Sequence, residues 1–493
     1  MKAATAELVR VEERLSAGEV PVDGIPVLLE AVRHLLRCPH RTGAAHTSTE
    51  RRRRRQRSCG AKKGHGRLGA DDYPGALRVM CAHPDLKPGG PCPEPGCRGK
   101  LYDFTTDEDV ELRAAPPVQA TLYVRDVLRC ANCQKTFTAP LPPQAHGAKY
   151  HPSVDAVVAV MRYGLGMPHH RLEQWQRWAG VPMPTSTQYE RVEGLGKAVR
   201  PGFRLLQKMA ANQPLLHSDD TGARILELQE ENQHRGPGER TGIFTTGIVA
   251  TGVERTDRTI VLYASGRRHA GENLDQLLED RTHAEAFIHM ADASSRRPRS
   301  EPRITANCLT HARRYFFEAY DAFPEHCDRV LDDIATIYRH DKSAREMDPS
   351  ARLVYHQHHS GPVMTALLAW IEQQFRERLV EPNGRLGKAF QYVKNHWPGL
   401  TRFLEVPGVP LDNNVAEREL KPSLRHRKNS LFFKTQAGAD TGDVLMSQIR
   451  TCVVNGVDPV HYLTAIGAHA AEARAAPETW LPWMYQTTLG SLN

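Results

Sequence analysis

Three acidic positions stand where carboxylates could share metal ions. Asp219 and Asp220 close the run Leu215-Leu-His-Ser-Asp-Asp-Thr, Asp292 closes Ile288-His-Met-Ala-Asp, and Glu417 lies in Leu411-Asp-Asn-Asn-Val-Ala-Glu-Arg-Glu. The chemistry open to such a trio is phosphodiester cleavage. A water must be activated and a leaving oxygen stabilised; two Mg2+ ions about 4 Å apart do both, and hard carboxylate oxygens hold them. With a DNA 3′-hydroxyl as nucleophile, the same in-line attack joins strands instead of cutting them. Taken singly, each acid has an ordinary role: an Asp at a strand end caps a turn, and a Glu beside Arg on a helix pairs at the surface.

A second chemistry belongs to cysteine. Cys92-Pro-Glu-Pro-Gly-Cys97 and Cys130-Ala-Asn-Cys133 are two close pairs separated by 32 residues (130 − 97 − 1). Four thiolates so paired converge tetrahedrally on a structural Zn2+, and a small module with little core gains folding energy from it. Cys81-Ala-His83 is a weaker, substitute pair. Arg51, Arg52, Arg53, Arg54 and Arg55 form an unbroken cationic run that Arg57 extends. Such a block attracts polyanions, and nucleic acid is the expected contact.

Composition bounds these readings. The 493 residues carry a formal charge of +8 and are 40% hydrophobic, enough for real cores, with a mean hydropathy of −0.51. No run approaches the ~18 apolar residues of a membrane span, and the start lacks the apolar core of a signal peptide. A cytoplasmic protein with no membrane partner is expected, so its ten cysteines read as thiols or metal ligands.

The elements that must position the acids follow from periodicity. Short helical patterns and a basic, flexible linker occupy residues 1–75. A proline-dense, β-rich zinc module spans 76–150, with the alternating run from Ala120. Residues 151–212 are helical, over Val154–Tyr163, Arg171–Trp178 and Ser186–Met209, with Pro201 expected to break or kink the last. Around Gly180, with Ser186 or Thr187 as cap, this region reads either as a DNA-binding helix-turn-helix or as an ordinary helical hairpin. From 213 the pattern turns to strands, at Leu215–Asp219, Gly242–Ala250, Thr259–Ala264 and Phe287–Ala291, with a helix over Gly271–Arg281 before the last. Helix follows around Cys308–Ala322. In a ribonuclease-H-like sheet of order β-β-β-α-β, strands one and four lie side by side, which brings Asp219 and Asp292 together. A later helix packing on the sheet delivers Glu417. The core's first part is 213–325, a helical insertion 326–410, its last part 411–475, and a tail 476–493. Helices are expected at Val415–Leu420 and Asp443–Asn455.

From about Lys62 onward the chain resembles the DDE transposases of bacterial insertion sequence family sixty-six. The resemblance rests on Gly64-His-Gly-Arg, the cysteine pairs, Asp219-Asp-Thr221, Arg240-Thr-Gly-Ile-Phe-Thr-Thr-Gly-Ile, His269-Ala-Gly-Glu-Asn and Asn307-Cys-Leu-Thr-His-Ala-Arg-Arg. It continues through Leu411-Asp-Asn-Asn-Val-Ala-Glu-Arg, His426-Arg-Lys-Asn-Ser-Leu-Phe and Asn455-Gly-Val-Asp-Pro. It implies an α/β, ribonuclease-H-like core with Asp219, Asp292 and Glu417 as ligands of Mg2+ or Mn2+. It implies a helical insertion, for which the 125-position gap (417 − 292) leaves room. It also implies an N-terminal half, with zinc and helix-turn-helix, that recognises the terminal inverted repeats of a mobile element. The partners implied are double-stranded DNA (those repeats and a target), further copies of the chain on DNA, and accessory proteins of the element.

The chain departs from the family pattern in places. Asp-Asp-Thr stands where Asp-Glu-Thr is common, leaving Asp219 and Asp220 both open as first ligand. The first cysteine pair has two extra residues, and the N-terminus lacks a zipper-like helix. Arg313, Arg314, Arg427 and Lys428, with Lys421 and Arg425, flank the acidic motifs and are candidates to grip phosphates. Asn413 and Asn414 are expected to cap the Glu417 helix, and Cys308 and His311 to pack together rather than bind a second metal. Two alternatives remain: a transposase-derived repressor that binds without cutting, and a plain nuclease that cuts without joining.

Overall fold

In the computed structural model the described residues are 85–86, 88–91, 93, 95, 97–101, 117–129, 136–143, 145, 147–254, 258–293, 298–430 and 432–492. Arg51–Arg55, Cys81, His83, Cys92, Cys130, Cys133 and the helical patterns of residues 1–38 lie outside them. The chain divides into Met1–Ala114 and Ala115–Asn493. In the first unit Pro91 and Lys100 form an antiparallel bridge, and the exposed Cys97 lies between them.

The second unit opens with a short antiparallel hairpin, β1 (Val127–Arg129) and β2 (Thr136–Thr138). Three helices follow: α1 (Pro152–Ala159, continued by a π turn), α2 (His169–Trp178) and α3 (Thr185–Ala211). Gly180 makes the α2–α3 turn at φ +74°, a left-handed conformation that glycine adopts without strain. Neither Ser186 nor Thr187 caps α3. The helix begins one residue earlier, and Glu173 of α2 accepts the Thr185 N–H at 3.2 Å instead. Nor does Pro201 break α3, because Val199, Phe203, Leu206 and Ala210 around it are buried and their packing outweighs one lost backbone bond.

The sheet has five strands: β3 (Leu215–Gly222), β4 (Phe244–Thr251), β5 (Ile260–Gly266), β6 (Phe287–Ala291) and β7 (Arg303–Asn307). Helix α4 (Leu226–Gln233) joins β3 to β4, and α5 (Ala270–Leu278) joins β5 to β6. The spatial order is β5-β4-β3-β6-β7; β4 is antiparallel to its neighbours, and β3, β6 and β7 are parallel. The expected adjacency of the first and fourth strands is therefore observed. Strand β7 and helix α4 were not anticipated: Arg-Ile-Thr-Ala-Asn is five residues with polar ends, and α4 buries only Leu228.

After the sheet come α6 (Leu309–Ala319), α7 (Pro324–Ser343), α8 (Pro349–His359), α9 (Gly361–Arg376) and α10 (Arg385–Asn395), then a single turn at Trp397–Leu400. The apolar faces of α6, α7, α9 and α10 share a core with Leu215, Ile288 and Met290 of the sheet. The chain then returns through α11 (Asn414–Ser430), α12 (Gln436–Val454), α13 (Pro459–Ala468), α14 (Ala470–Ala475) and α15 (Tyr485–Leu492). A second core joins Leu216, Phe287, β4 and β5 to α1, α3, α5, α12 and α13. Adjacent residues such as Leu215 and Leu216 enter different cores, as the two-residue period of a strand requires.

Helix α12 starts at Gln436, earlier than its expected Asp443, and covers the edge of β5 with polar side chains. Asp443 accepts the Ser265 N–H (2.5 Å), Ser447 accepts the Tyr263 N–H (2.9 Å), Thr451 accepts the Val261 N–H (3.1 Å) and Asn455 accepts the Thr259 N–H (3.3 Å). The match is geometric. Four helical residues rise about 6.0 Å, close to the ~6.6 Å spanned by two strand residues. A side chain every fourth residue thus meets every second N–H of an edge strand, satisfying a row that would otherwise stand unpaired.

Candidate active site

Strand register brings the first two acids together. Leu215 pairs with Ile288 and His217 with Met290 on parallel β3 and β6. Two residues beyond the His217–Met290 pair stand Asp219, still within β3, and Asp292, the residue that follows β6; the alternation of side chains carried one step past β6 sets both on one face. Burial, the largest cause, raises the Asp219 carboxyl to about 7, and the charges of Asp292, Glu417 and Asp220 push the same way against a bond from the Asp220 N–H. The three expected acids are therefore close enough for their charges to be felt at one carboxylate.

Asp220 faces the other way. Its carboxylate accepts the Thr246 hydroxyl at 2.6 Å and the Ala270 N–H at 2.8 Å, so it holds the first turn of α5. Asn273 donates to the same threonine oxygen at 2.7 Å. Of the two adjacent aspartates, Asp219 is the one turned toward Asp292 and Glu417.

Glu417 lies in the first turn of α11, and its placement comes from the motif before it. Asn413 is wholly buried. It donates from its side chain to the Ser218 carbonyl (3.0 Å), its Oδ1 lies 3.1 Å from His217 Nδ1, and its N–H reaches Cys308 Sγ at 3.2 Å. Because the Asn413 amide nitrogen is the donor to Ser218, its oxygen is the acceptor, so His217 carries its proton on Nδ1. Burial holds that imidazole down at about 4, in its neutral form. Asn413 thus fastens the start of α11 to β3 and does not cap it by side chain. Asp412 does, accepting the Asn414 N–H at 3.0 Å while taking the Tyr338 hydroxyl at 2.8 Å.

Two further contacts seat α11 on the sheet. Buried Glu419 pairs with Arg450 of α12 at 2.7 and 3.0 Å, and its carbonyl accepts the Tyr263 hydroxyl. Gly247, the register partner of Asp219, has no Cβ; one built there would meet Leu420 at 3.0 Å. The helix carrying Glu417 lies this close to the strand beside Asp219 because position 247 has no side chain.

A sequence profile described as the transposase IS66 family matches residues 147–441, 295 of the 493 (441 − 147 + 1), a span that includes Asp219, Asp292, Glu417 and Asn413. The chain belongs to the IS66 family of transposases. Three proteins of Sinorhizobium fredii (strain NBRC 101917 / NGR234), each described as uncharacterized, are similar. For y4hP the identity is 25%, over 71% of this chain and 65% of that protein. For y4jD it is 26%, over 79% and 77%. For y4qI it is 25%, over 41% and 38%. The matched region thus spans just under two thirds of y4hP.

In this IS66-family chain the basic residues around Glu417 sort by helical face. Ala416, Glu419, Leu420 and Ser423 of α11 are buried, whereas Arg418, Lys421, Arg425 and Lys428 are exposed. At 100° per residue these four fall within about 80° of arc, with Glu417 at its edge. The stripe is legible in the spacing, yet Arg418 was not among the expected contacts. Arg427 points elsewhere: it donates to the Gly222 carbonyl at the end of β3. Arg313 and Arg314 of α6 are exposed, the former over the Phe317 ring at 4.3 Å.

Beside Glu417, ligand-type atoms of Cys308, His311 and Glu417 all lie within 4.8 Å of one another. Cys308 is buried, which pushes its thiol up to about 11. His311 does not simply pack against it, as expected from sequence, but faces the carboxylate, with Nδ1 3.6 Å from Glu417 Oε1. Tyr392 of α10 is a further neighbour that sequence did not indicate. Its hydroxyl takes a bond from the Ala293 N–H, next to Asp292, and burial raises its proton affinity. Among the described residues no helix is long and apolar enough to cross a membrane.

Proposed function

We propose that the chain is a DNA transposase whose Asp219, Asp292 and Glu417 hold Mg2+ or Mn2+ in a ribonuclease-H-like core. The observation that carries the reading is the parallel β3–β6 pairing, whose last pair, His217 with Met290, stands two residues before Asp219 and Asp292, with Glu417 on a helix anchored to β3. The strand order supports it too: β4, second in the sheet, is antiparallel to both its neighbours, and β6 and β7 run parallel to the central β3. The donor set fits a hard divalent cation: a buried carboxylate whose proton affinity is raised partly by two neighbouring acids gains most from a positive charge between them.

When bound, the ions activate the attacking oxygen and offset charge on the leaving one. The chain's residues supply the rest. Asp219 and Asp292 are held by paired strands and Glu417 by the Asn413 clamp, so little reorganisation is needed when phosphate arrives. In cleavage, a water oxygen forms a bond to phosphorus as the P–O3′ bond breaks, leaving a 3′-hydroxyl and a 5′-phosphate. In joining, that 3′-hydroxyl attacks a target phosphodiester, loses its proton, and displaces a target 3′-oxygen. Arg418, Lys421, Arg425 and Lys428 line one exposed face to grip the backbone, and Arg313 and Arg314 extend the grip. Zn2+ on Cys92, Cys97, Cys130 and Cys133 is proposed to hold the N-terminal module. Arg51–Arg55 are proposed to contact double-stranded DNA, and the inverted repeats, further copies of the chain and accessory proteins of the element are its proposed partners.

The test is cleavage and joining of the element's ends in vitro with Mg2+. Asp292→Asn and Glu417→Gln are expected to lose at least about a thousandfold in rate, the scale of removing a group that acts only in the transition state. Undiminished cleavage by both would remove the carboxylate assignment; cleavage without joining in the wild type would make the protein a nuclease instead.

A further inference from the structure

Two polar atoms at the proposed site are buried, face each other and have no hydrogen-bond partner among the described residues: His311 Nδ1 and Glu417 Oε1. They stand 3.6 Å apart, a few tenths of an ångström beyond hydrogen-bonding range. The two side chains are only 17% and 29% exposed, so water does not freely replace the missing contact. The third member of the cluster is already committed. Cys308 stands at the N-terminal boundary of α6, and its sulfur accepts the Asn413 N–H at 3.2 Å. What remains is an imidazole donor opposite one oxygen of a carboxylate.

We propose that His311 is a positioning residue for Glu417: its Nδ1–H donates to Oε1 once the site closes on its cation, leaving Oε2 as the ligand atom. The inference rests on Glu417 being a ligand. Its physical content is that a glutamate carboxylate turns about three single bonds, the last of which decides which oxygen faces the cation. A donor fixed on α6 removes that freedom and holds Oε2 toward the cation. Because α6 follows directly on β7, the same contact ties the helix that carries Glu417 to the far side of the sheet.

The experiment uses the full-length chain with Mn2+ as probe, its binding followed by electron paramagnetic resonance, alongside single-turnover cleavage of the element's ends. His311→Ala is expected to weaken Mn2+ binding by about 10- to 100-fold, the range for loss of a group that orients a metal ligand, and to lower the cleavage rate without changing affinity for DNA. His311→Asn places an amide N–H where Nδ1 stood and is expected to restore most of both; His311→Gln, whose amide reaches the Nε2 position, is not. Equal Mn2+ affinity in wild type and His311→Ala overturns the proposal, as does His311→Asn behaving like alanine while melting at the wild-type temperature. A zinc equivalent held by the wild type and lost in both Cys308→Ser and His311→Ala also overturns it, making the trio a metal site of its own. Should Glu417→Gln and Asp292→Asn bind Mn2+ as the wild type does, the carboxylate reading itself fails; should they lose it while His311→Ala keeps it, only the role of His311 falls.

Discussion

One step along β3 turns a side chain to the opposite face of the sheet, so Asp219 and Asp220 cannot serve one site. Asp219 meets the other acids, while Asp220 closes the first turn of α5 through the Ala270 N–H. Asp219→Asn is therefore expected to abolish end cleavage with little change in melting temperature. Asp220→Ala should cost about 1–2 kcal/mol of stability, as the loss of a helix-capping acceptor does, and retain cleavage wherever it stays folded. Thermal melts paired with cleavage assays separate the two; a stable but inactive Asp220→Ala protein would reverse the assignment. Sequence alone left this choice open, because adjacent acids look alike until the register is known. Sequence did single out the three positions, since each sits at the end of an apolar run or inside a distinctive motif. From sequence, His311 is only a packing partner of Cys308 and Tyr392 is not singled out, because each meets its neighbour far along the chain: Glu417 is 106 positions on (417 − 311) and Ala293 is 99 positions back (392 − 293).

Among the elements, the strands flanking the site were legible because runs such as Ile-Val-Leu-Tyr-Ala read as buried β structure. Helix α12 was only half legible. Its first turns carry Asp440, Thr441 and Asp443, residues that read as loop until their acceptor role toward β5 is seen. Asp443 also makes this edge sensitive to pH. Burial, opposed by the bonds from Ser265, raises its carboxyl from 3.8 to about 7 in the fold. The folded chain thus holds this proton more tightly than the unfolded chain does. The contribution favours folding most below about pH 4 and is lost as pH rises through about 7. Asp443→Asn, which cannot ionise, should erase that slope. Melting temperatures of both proteins between these limits check it, and parallel curves would show that Asp443 does not titrate there.

For the whole molecule, the relevant quantity is where charge is displayed. The net +8 is modest for 493 residues, but Arg418, Lys421, Arg425 and Lys428 concentrate part of it along one face beside Glu417. If that face grips DNA, each of Lys421→Ala and Arg425→Ala should weaken binding about equally for all sequences and reduce the slope of log affinity against log salt by about 0.9. Filter or fluorescence titrations across a salt series measure this, and unchanged slopes would move the DNA elsewhere. The helical insertion was foreseeable from the gap between Asp292 and Glu417. Its route back to the site through the Tyr338–Asp412 bond was not, since it depends on tertiary packing.

The side-chain ladder on β5 also sets an order in time. As the chain leaves the ribosome, Gly266 precedes Gln436 by 170 positions (436 − 266), so the strand exists long before its cover. A product that stops after Ser430 would carry every acid of the site and still present a bare strand edge, the template on which other chains add. Interrupted copies of the gene would then yield aggregating fragments instead of unregulated cutting, because completing the sheet's margin is deferred to residues that follow the last carboxylate.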